Sequence, residues 1–291
     1  MENTAIIQLI TDYPVAFIIA TGIVSLLVGS FLNVVIHRLP IMMEREWQRD
    51  IELSQKPDKE PEAQASFNLI KPDSTCPKCK HKIRAWENIP IFSWLALGGK
   101  CSSCKGPISA RYPAVELLTA LLSMVVAYQL GFGITGVAFI FATWLLIAMT
   151  FIDLDKMLLP DSLTLLMLWL GLGVSCFDGT ISPTDSIIGA MLGYLSLWSV
   201  YWAFKLLTGK EGMGYGDFKL LAALGAWVGW QHLPIVILLS SIVGAIVGIS
   251  LMLVQRKDST LAIPFGPYLA AAGWLSMLYG DAIASWYLST L

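Results

Sequence analysis

Long apolar runs separated by short polar breaks dominate this chain, and one long polar stretch interrupts them near the N-terminus. A bilayer core about 30 Å thick needs about 20 apolar residues per helix. On that scale eight segments predict membrane spans: 13–36, 113–130, 136–152, 162–177, 185–206, 218–230, 234–254 and 266–287. The fourth and sixth are short, so they either begin earlier, at Leu158 and Tyr215, or fall short of a full crossing. The polar stretch 37–112 then forms a cytosolic domain inserted between the first two spans. Within it Met43, Trp47 and Ile51 recur at i, i+4 and i+8, which suits a short interfacial helix. Pro57, Pro61 and Pro72 suit a solvated linker equally well. The expected organisation is a first transmembrane helix in 1–36, a small zinc-binding domain in 37–112, and a seven-helix membrane domain in 113–291. The fold class is an all-α polytopic membrane protein with about eight transmembrane helices.

Composition and charge agree with the pattern. The 291 residues are 56% hydrophobic and only 14% charged, where a soluble domain is about 25% charged. The first apolar segment lacks the basic flank of a cleaved signal, since Glu2 and Asp12 precede it without Lys or Arg. Thirteen of the 19 Lys and Arg lie in 37–112. The other six are Lys156, Lys205, Lys210, Lys219, Arg256 and Lys257. With eight spans and both termini outside, all 19 fall on the cytosolic side, as the positive-inside rule requires. The polar stretch also holds nine Asp and Glu. Its mild basic excess is what topology already demands, and no nucleic-acid partner is expected.

Four of the five cysteines form two Cys-x-x-Cys pairs, Cys76–Cys79 and Cys101–Cys104, with 21 residues between them. Two such knuckles close a tetrahedral zinc site. Four thiolates leave no open position, so the metal is expected to be structural and to supply folding free energy to a stretch with little core of its own. Free thiols of this kind need a reducing compartment, which agrees with the cytosolic placement. His81 borders one knuckle and is expected to be a bystander.

Three small-xxx-small stripes, Gly189–Gly193, Gly225–Gly229 and Gly244–Gly248, suggest close helix packing among the fifth, sixth and seventh spans.

Two acids stand where apolar runs meet polar loops: Asp153, seven residues before Pro160, and Asp217 in Gly214-Tyr-Gly216-Asp217. Carboxylates are costly to hold in membrane segments and mark functional sites. Two on one membrane face can share a proton and activate a water. Asp161, just before Ser162-Leu163, reads as a helix N-cap. Three functions fit these features: a membrane aspartic endopeptidase, a proton- or ion-coupled transporter with a structural zinc domain, and a non-enzymatic scaffold of a secretion machine.

At these residues the chain resembles the bacterial type IV prepilin peptidases, aspartic proteases of the Gly-x-Gly-Asp type. Beyond both aspartate motifs and both knuckles, the resemblance includes Gly29 to Pro40, Arg84 to Pro90, Arg111 to Glu116 and Ile263 to Pro267. It implies that Asp153 and Asp217 are catalytic. It implies cleavage of the basic leaders of type IV prepilins and type II secretion pseudopilins after a glycine, at a bacterial inner membrane. Members with the cysteine-bearing domain also N-methylate the new N-terminal residue, usually Phe, from S-adenosylmethionine, and this chain resembles those. No dinucleotide-type glycine fingerprint is present. Glu87, Asn88, Gly98, Gly99 and Glu116 are weak candidates for methyl transfer. The implied partners are prepilins, pseudopilins and membrane lipid, and nothing in the chain sets an oligomeric state.

Overall fold

A computed structural model describes residues 14–55, 66–178, 180–210, 212–255 and 263–290. The expected lack of a basic leader rests on residues 1–13, which lie outside the described residues, as do Arg256 and Lys257. The helices are α1 (Pro14–Gln55), α2 (Phe92–Ala96), α3 (Arg111–Leu130), α4 (Ile134–Lys156), α5 (Asp161–Asp178), α6 (Pro183–Thr208), α7 (Tyr215–Gln255) and α8 (Gly266–Ser289). A 3-10 turn, Ala85–Asn88, precedes α2. Among the described residues the only β pairing is two isolated bridges, Thr75 with Lys82 and Lys100 with Pro107. Among the described residues five helices are long and apolar enough to cross a membrane, and Asp161–Phe177 is a shorter apolar helix. The fold is all-α and polytopic, as expected. The chain divides into two compact units, one ending at Val125 and one beginning at Val126.

In the first unit, α1 is longer than its apolar run. Its 42 residues reach about 63 Å at 1.5 Å per residue, twice a bilayer core. The helix runs on past Ile36 because Glu44 to Gln55 is rich in Glu, Arg, Gln and Leu, all good helix formers. A Gln48–Glu44 hydrogen bond of 2.9 Å supports this extension at i, i+4. Its residues from Glu44 onward are exposed, so Trp47 and Ile51 lie on a continuous helix through Gln55. α1 meets α3 through glycine. A Cβ on Gly22 would lie 2.8 Å from Met124 Sδ, and one on Gly29 would lie 2.7 Å from the Glu116 Cα. Asn33 donates to the Tyr112 carbonyl at 3.1 Å, closing the same helix pair.

In the second unit α7 packs on α6, α8 and α5, while α4 packs on α8 and α5. α7 is two arms. Gly229 breaks it with φ 72° and ψ 171°, a conformation open to glycine. The arms run antiparallel beside α8. The first places Leu224 against Gly273; the second starts with His232 against Gly280 and returns to place Gly248 against Ile263. These arms correspond to the separate segments 218–230 and 234–254 of the sequence pattern, which the structure joins in one broken helix.

The first two glycine stripes face each other. A Cβ at Gly189 would collide with the Gly225 carbonyl, and one at Gly225 with the Gly189 carbonyl. Ser186 Oγ donates to the Ala226 carbonyl at 2.6 Å across the same contact. The third stripe works differently: Gly244 receives the ring of Tyr268 from α8. An aromatic ring needs the space that a missing side chain leaves, so this stripe seats a side chain and not a backbone.

Candidate active site and metal centre

α4 ends on a left-handed Met157, whose N–H closes on the Asp153 carbonyl at 2.8 Å. That turn fixes Asp153 in the last turn of α4, where it is 5% exposed. Asp217 lies in the first turn of α7 and is 8% exposed. Its N–H donates to the Gly214 carbonyl at 3.3 Å, so the Gly-x-Gly-Asp segment is itself the helix start. One loop residue, Leu159, borders both Gly216, next to Asp217, and Gly266, whose N–H holds Asp153.

Glycine brings the pieces together. At Gly216 a Cβ would lie 2.7 Å from Leu159 Cβ, and at Gly266 one would lie 2.6 Å from Asp153 Oδ2 and 3.3 Å from Leu159 Cδ1. Leu159 therefore sits between the two glycines, on the loop that leaves Asp153. The Gly266 N–H donates to Asp153 Oδ2 at 3.0 Å in a buried bond. Gly266 opens α8, so an orphan donor of a helix N-terminus holds the carboxylate. The motif Ile263 to Pro267 thus has a structural role that sequence reasoning did not assign.

Asp161 is not a cap. The Pro160 carbonyl accepts from Leu163 and Thr164, both at 3.0 Å, and so occupies the capping position. Asp161 lies in the first turn and takes Lys219 Nζ on both oxygens, at 2.6 and 2.7 Å. Proline cannot donate an N–H, and it starts the helix one residue earlier than a capping aspartate would. The ion pair ties the loop after Asp153 to the helix bearing Asp217. Tyr201, Tyr215 and Phe218, next to Lys219 in the chain, form an aromatic cluster with ring centroids 5.2 to 5.6 Å apart, Phe218 edge-on to both tyrosines.

The four cysteines converge. Their sulfurs all lie within 4.8 Å of one another. Cys76 and Cys104 are 3.8 Å apart, and Cys79 and Cys101 are 4.0 Å apart. A tetrahedral ion with 2.3 Å Zn–S bonds sets its sulfurs about 3.8 Å apart, so the quartet fits a metal ion. Both knuckles have the same backbone. Lys80 and Lys105 are left-handed, at φ 59° and 58°. Their N–H groups close on Cys76 and Cys101 carbonyls at 2.9 and 3.0 Å. Backbone N–H groups of Cys79, then Lys78, hold the Cys76 thiol down at about 6.

His81 points elsewhere. Its Nε2 lies 3.2 Å from Glu87 Oε2 and 3.3 Å from Ser102 Oγ. Glu87 also accepts the Arg84 N–H at 2.7 Å. That N–H, then Ser102 and His81, hold the Glu87 carboxyl down at about 2. Glu87 thus links the segment after the first knuckle to the second knuckle. Glu116 is buried and accepts the Ile91 N–H at 2.8 Å. Gly98 and Gly99 both have positive φ, 61° and 66°, and Gly99 abuts the Trp94 ring. Asn88 is exposed. The two carboxylates and Gly99 are engaged in holding the domain together.

Two family models match the chain: the bacterial peptidase A24 N-terminal domain over residues 23–130, and the type IV leader peptidase family over residues 139–249. Relatives named prepilin leader peptidase/N-methyltransferase match along nearly the whole length. The protein of Aeromonas hydrophila is 59% identical over 98% of both chains. That of Pseudomonas aeruginosa is 56% identical over 97% of both. That of Legionella pneumophila is 44% identical over 96% of this chain and 97% of its own. No solved structure matches the chain. With relatives this similar and this fully covered, the chain belongs to the type IV leader peptidase family.

Proposed function

We propose that Asp153 and Asp217 together activate a water that removes the leader of prepilins and pseudopilins after a glycine. The reaction takes place on the cytosolic side of a bacterial inner membrane. The same chain then N-methylates the exposed N-terminal residue, usually Phe. The observation that supports this reading is a pair of buried acids at helix termini, Asp153 at the end of α4 and Asp217 at the start of α7, with Leu159 bordering the glycine beside each and a helix N-terminus holding one of them. Lys156, Lys205, Lys210 and Lys219 lie on the helix ends and loops around these acids, which supports a cytosolic placement of that end.

Two carboxylates held together share one proton. The ionised partner takes a proton from the water as it attacks the scissile carbonyl. The protonated partner polarises that carbonyl and then protonates the leaving amine. The Gly266 N–H keeps Asp153 oriented through both steps. A packed substrate helix hides its carbonyls, so the leader junction must be extended where it meets the acids. A transporter would carry its acids near the midplane; here both lie in terminal helix turns.

The cysteine quartet supports a structural zinc ion, held by Cys76, Cys79, Cys101 and Cys104. S-adenosylmethionine supplies the methyl group when bound. The names of the relatives support that activity, and Glu87, Glu116 and Gly99 serve to hold the domain together.

The test incubates pure protein with a leader-bearing prepilin, with and without S-adenosylmethionine, and weighs the product. Expected are a loss equal to the leader and, with the methyl donor, a gain of one methylene. Asp153→Asn or Asp217→Asn should leave the protein inserted and lower cleavage by roughly 10²–10⁴-fold or more. Full cleavage by either purified variant would overturn the assignment.

A further inference from the structure

The zinc-binding segment exposes apolar surface that its own small core does not need. Trp86, Ile89, Phe92 and Leu95 recur every third residue through the 3-10 turn and α2, and are 49%, 48%, 68% and 61% exposed. The same segment turns Pro90 and Trp94 inward, with Trp94 Nε1 donating to the Ile108 carbonyl at 3.2 Å. The exposed residues are therefore the outer edge of an otherwise anchored element.

The level of this edge is fixed by one bond. The Ile91 N–H donates to the buried Glu116 at 2.8 Å. Ile91 holds φ 60°, costly for a β-branched residue, and such a conformation persists only where its surroundings enforce it. Glu116 lies five residues into α3, about 7.5 Å along the helix from Arg111. α3 has 20 residues, which is about the length needed to cross the hydrocarbon core. Glu116 therefore sits at or just inside the boundary between headgroups and acyl chains, and so does the start of α2.

Charge points the same way. Residues 66–111 carry eight Lys and Arg against two acids, Asp73 and Glu87. Both acids are paired, with Lys82 at 2.7 Å and His81 at 3.2 Å. Lys80, Arg84 and Lys100 are exposed, and Arg84 and Lys100 bracket the apolar segment in the chain. Apolar and aromatic anchors flanked by cations are the chemistry of an anionic bilayer surface.

We infer that Trp86, Ile89, Phe92 and Leu95 insert into the headgroup–acyl boundary of an anionic bilayer, making the zinc-binding segment a membrane-surface foot. This rests on α3 crossing the membrane and is independent of the aspartate assignment. The occupant of the surface is lipid, and not the substrate's apolar helix.

The test places the photoreactive residue p-benzoylphenylalanine at Phe92, at Leu95, or at exposed Ser103 in the second knuckle of the full-length protein. Each is reconstituted in phosphatidylethanolamine–phosphatidylglycerol vesicles, checked for zinc content, and irradiated with and without prepilin. The expected result is a mass shift of one phospholipid at 92 and 95 and none at 103, with phosphatidylglycerol adducts exceeding its share of the bilayer. Adducts to prepilin or to this chain's own helices, no adduct at either position, or equal lipid adducts at 103 would overturn the inference.

Discussion

Replacing Gly266 with alanine should disarm the acid pair while leaving the fold standing. The added Cβ would lie 2.6 Å from Asp153 Oδ2, where ordinary contact begins at 3.4 Å. Leu159 Cδ1, at 3.3 Å, is also closer than ordinary contact. Relieving the overlap moves the carboxylate or the start of α8 by about 0.8 Å. The bond from the Gly266 N–H then lengthens, and the Asp153 carboxylate turns from its present orientation. A displacement near 1 Å in a catalytic constellation costs about 10²-fold in rate, so kcat should fall roughly 10- to 100-fold. KM should change little, because the altered atoms face the acid and not the substrate's apolar stretch. Stability moves less. Gly266 has no positive φ, and alanine gains roughly 0.5–1 kcal/mol over glycine in a helix. Overpacking costs about 1–3 kcal/mol, so the net loss is at most about 2.5 kcal/mol. The assay is initial-rate leader cleavage on a labelled prepilin across substrate concentrations, beside thermal unfolding of the same preparation. An alanine variant with unchanged kcat would refute the claim that Gly266 is needed for the approach of α8 to Asp153.

Three further outcomes are expected. Cys104→Ser should reduce bound zinc from one ion per chain toward zero by elemental analysis and open residues 66–110 to limited proteolysis; undiminished protease resistance would show that the metal does not support this segment. Lys219→Ala and Asp161→Ala should each slow cleavage, with the double variant no slower than either single one. Because the pair is partly exposed, its stability contribution should stay within about 0.2–1 kcal/mol, and additive losses would show that the two do not act together. Glu87 has a folded-state pKa of about 2 against 4.5, so the protection it gives is fully present above about 4.5 and is lost as pH falls toward 2. Hydrogen exchange over residues 80–104 should therefore separate the native chain from Glu87→Gln near neutral pH and converge as pH falls through that window.

The candidate site residues were legible because each lies in a short local motif. Each knuckle is a four-residue turn, and each aspartate marks the end of an apolar run. What escaped sequence reasoning lies across long separations. Gly266 meets Asp153 from 113 residues away, and Lys219 reaches Asp161 across 58. A local reading of Asp161 offered a cap, since aspartate before an apolar run usually is one; Pro160 won because its carbonyl was already in place. The polar half of α1 was open between helix and linker because its apolar residues are too sparse to declare a face. Propensity and an i, i+4 bond decide it. The third glycine stripe shows the same limit, since spacing marks a close approach without saying whether backbone or ring fills it.

The mutual contact of Gly189 with Gly225 has a mechanical corollary. With carbonyls of α6 and the first arm of α7 set against each other's bare Cα positions, neither rod can slide or roll past its neighbour without a steric collision. They move as a single plank, and Asp217 rides on it. Any relative motion within this unit must then fall outside the contact between α6 and the first arm of α7.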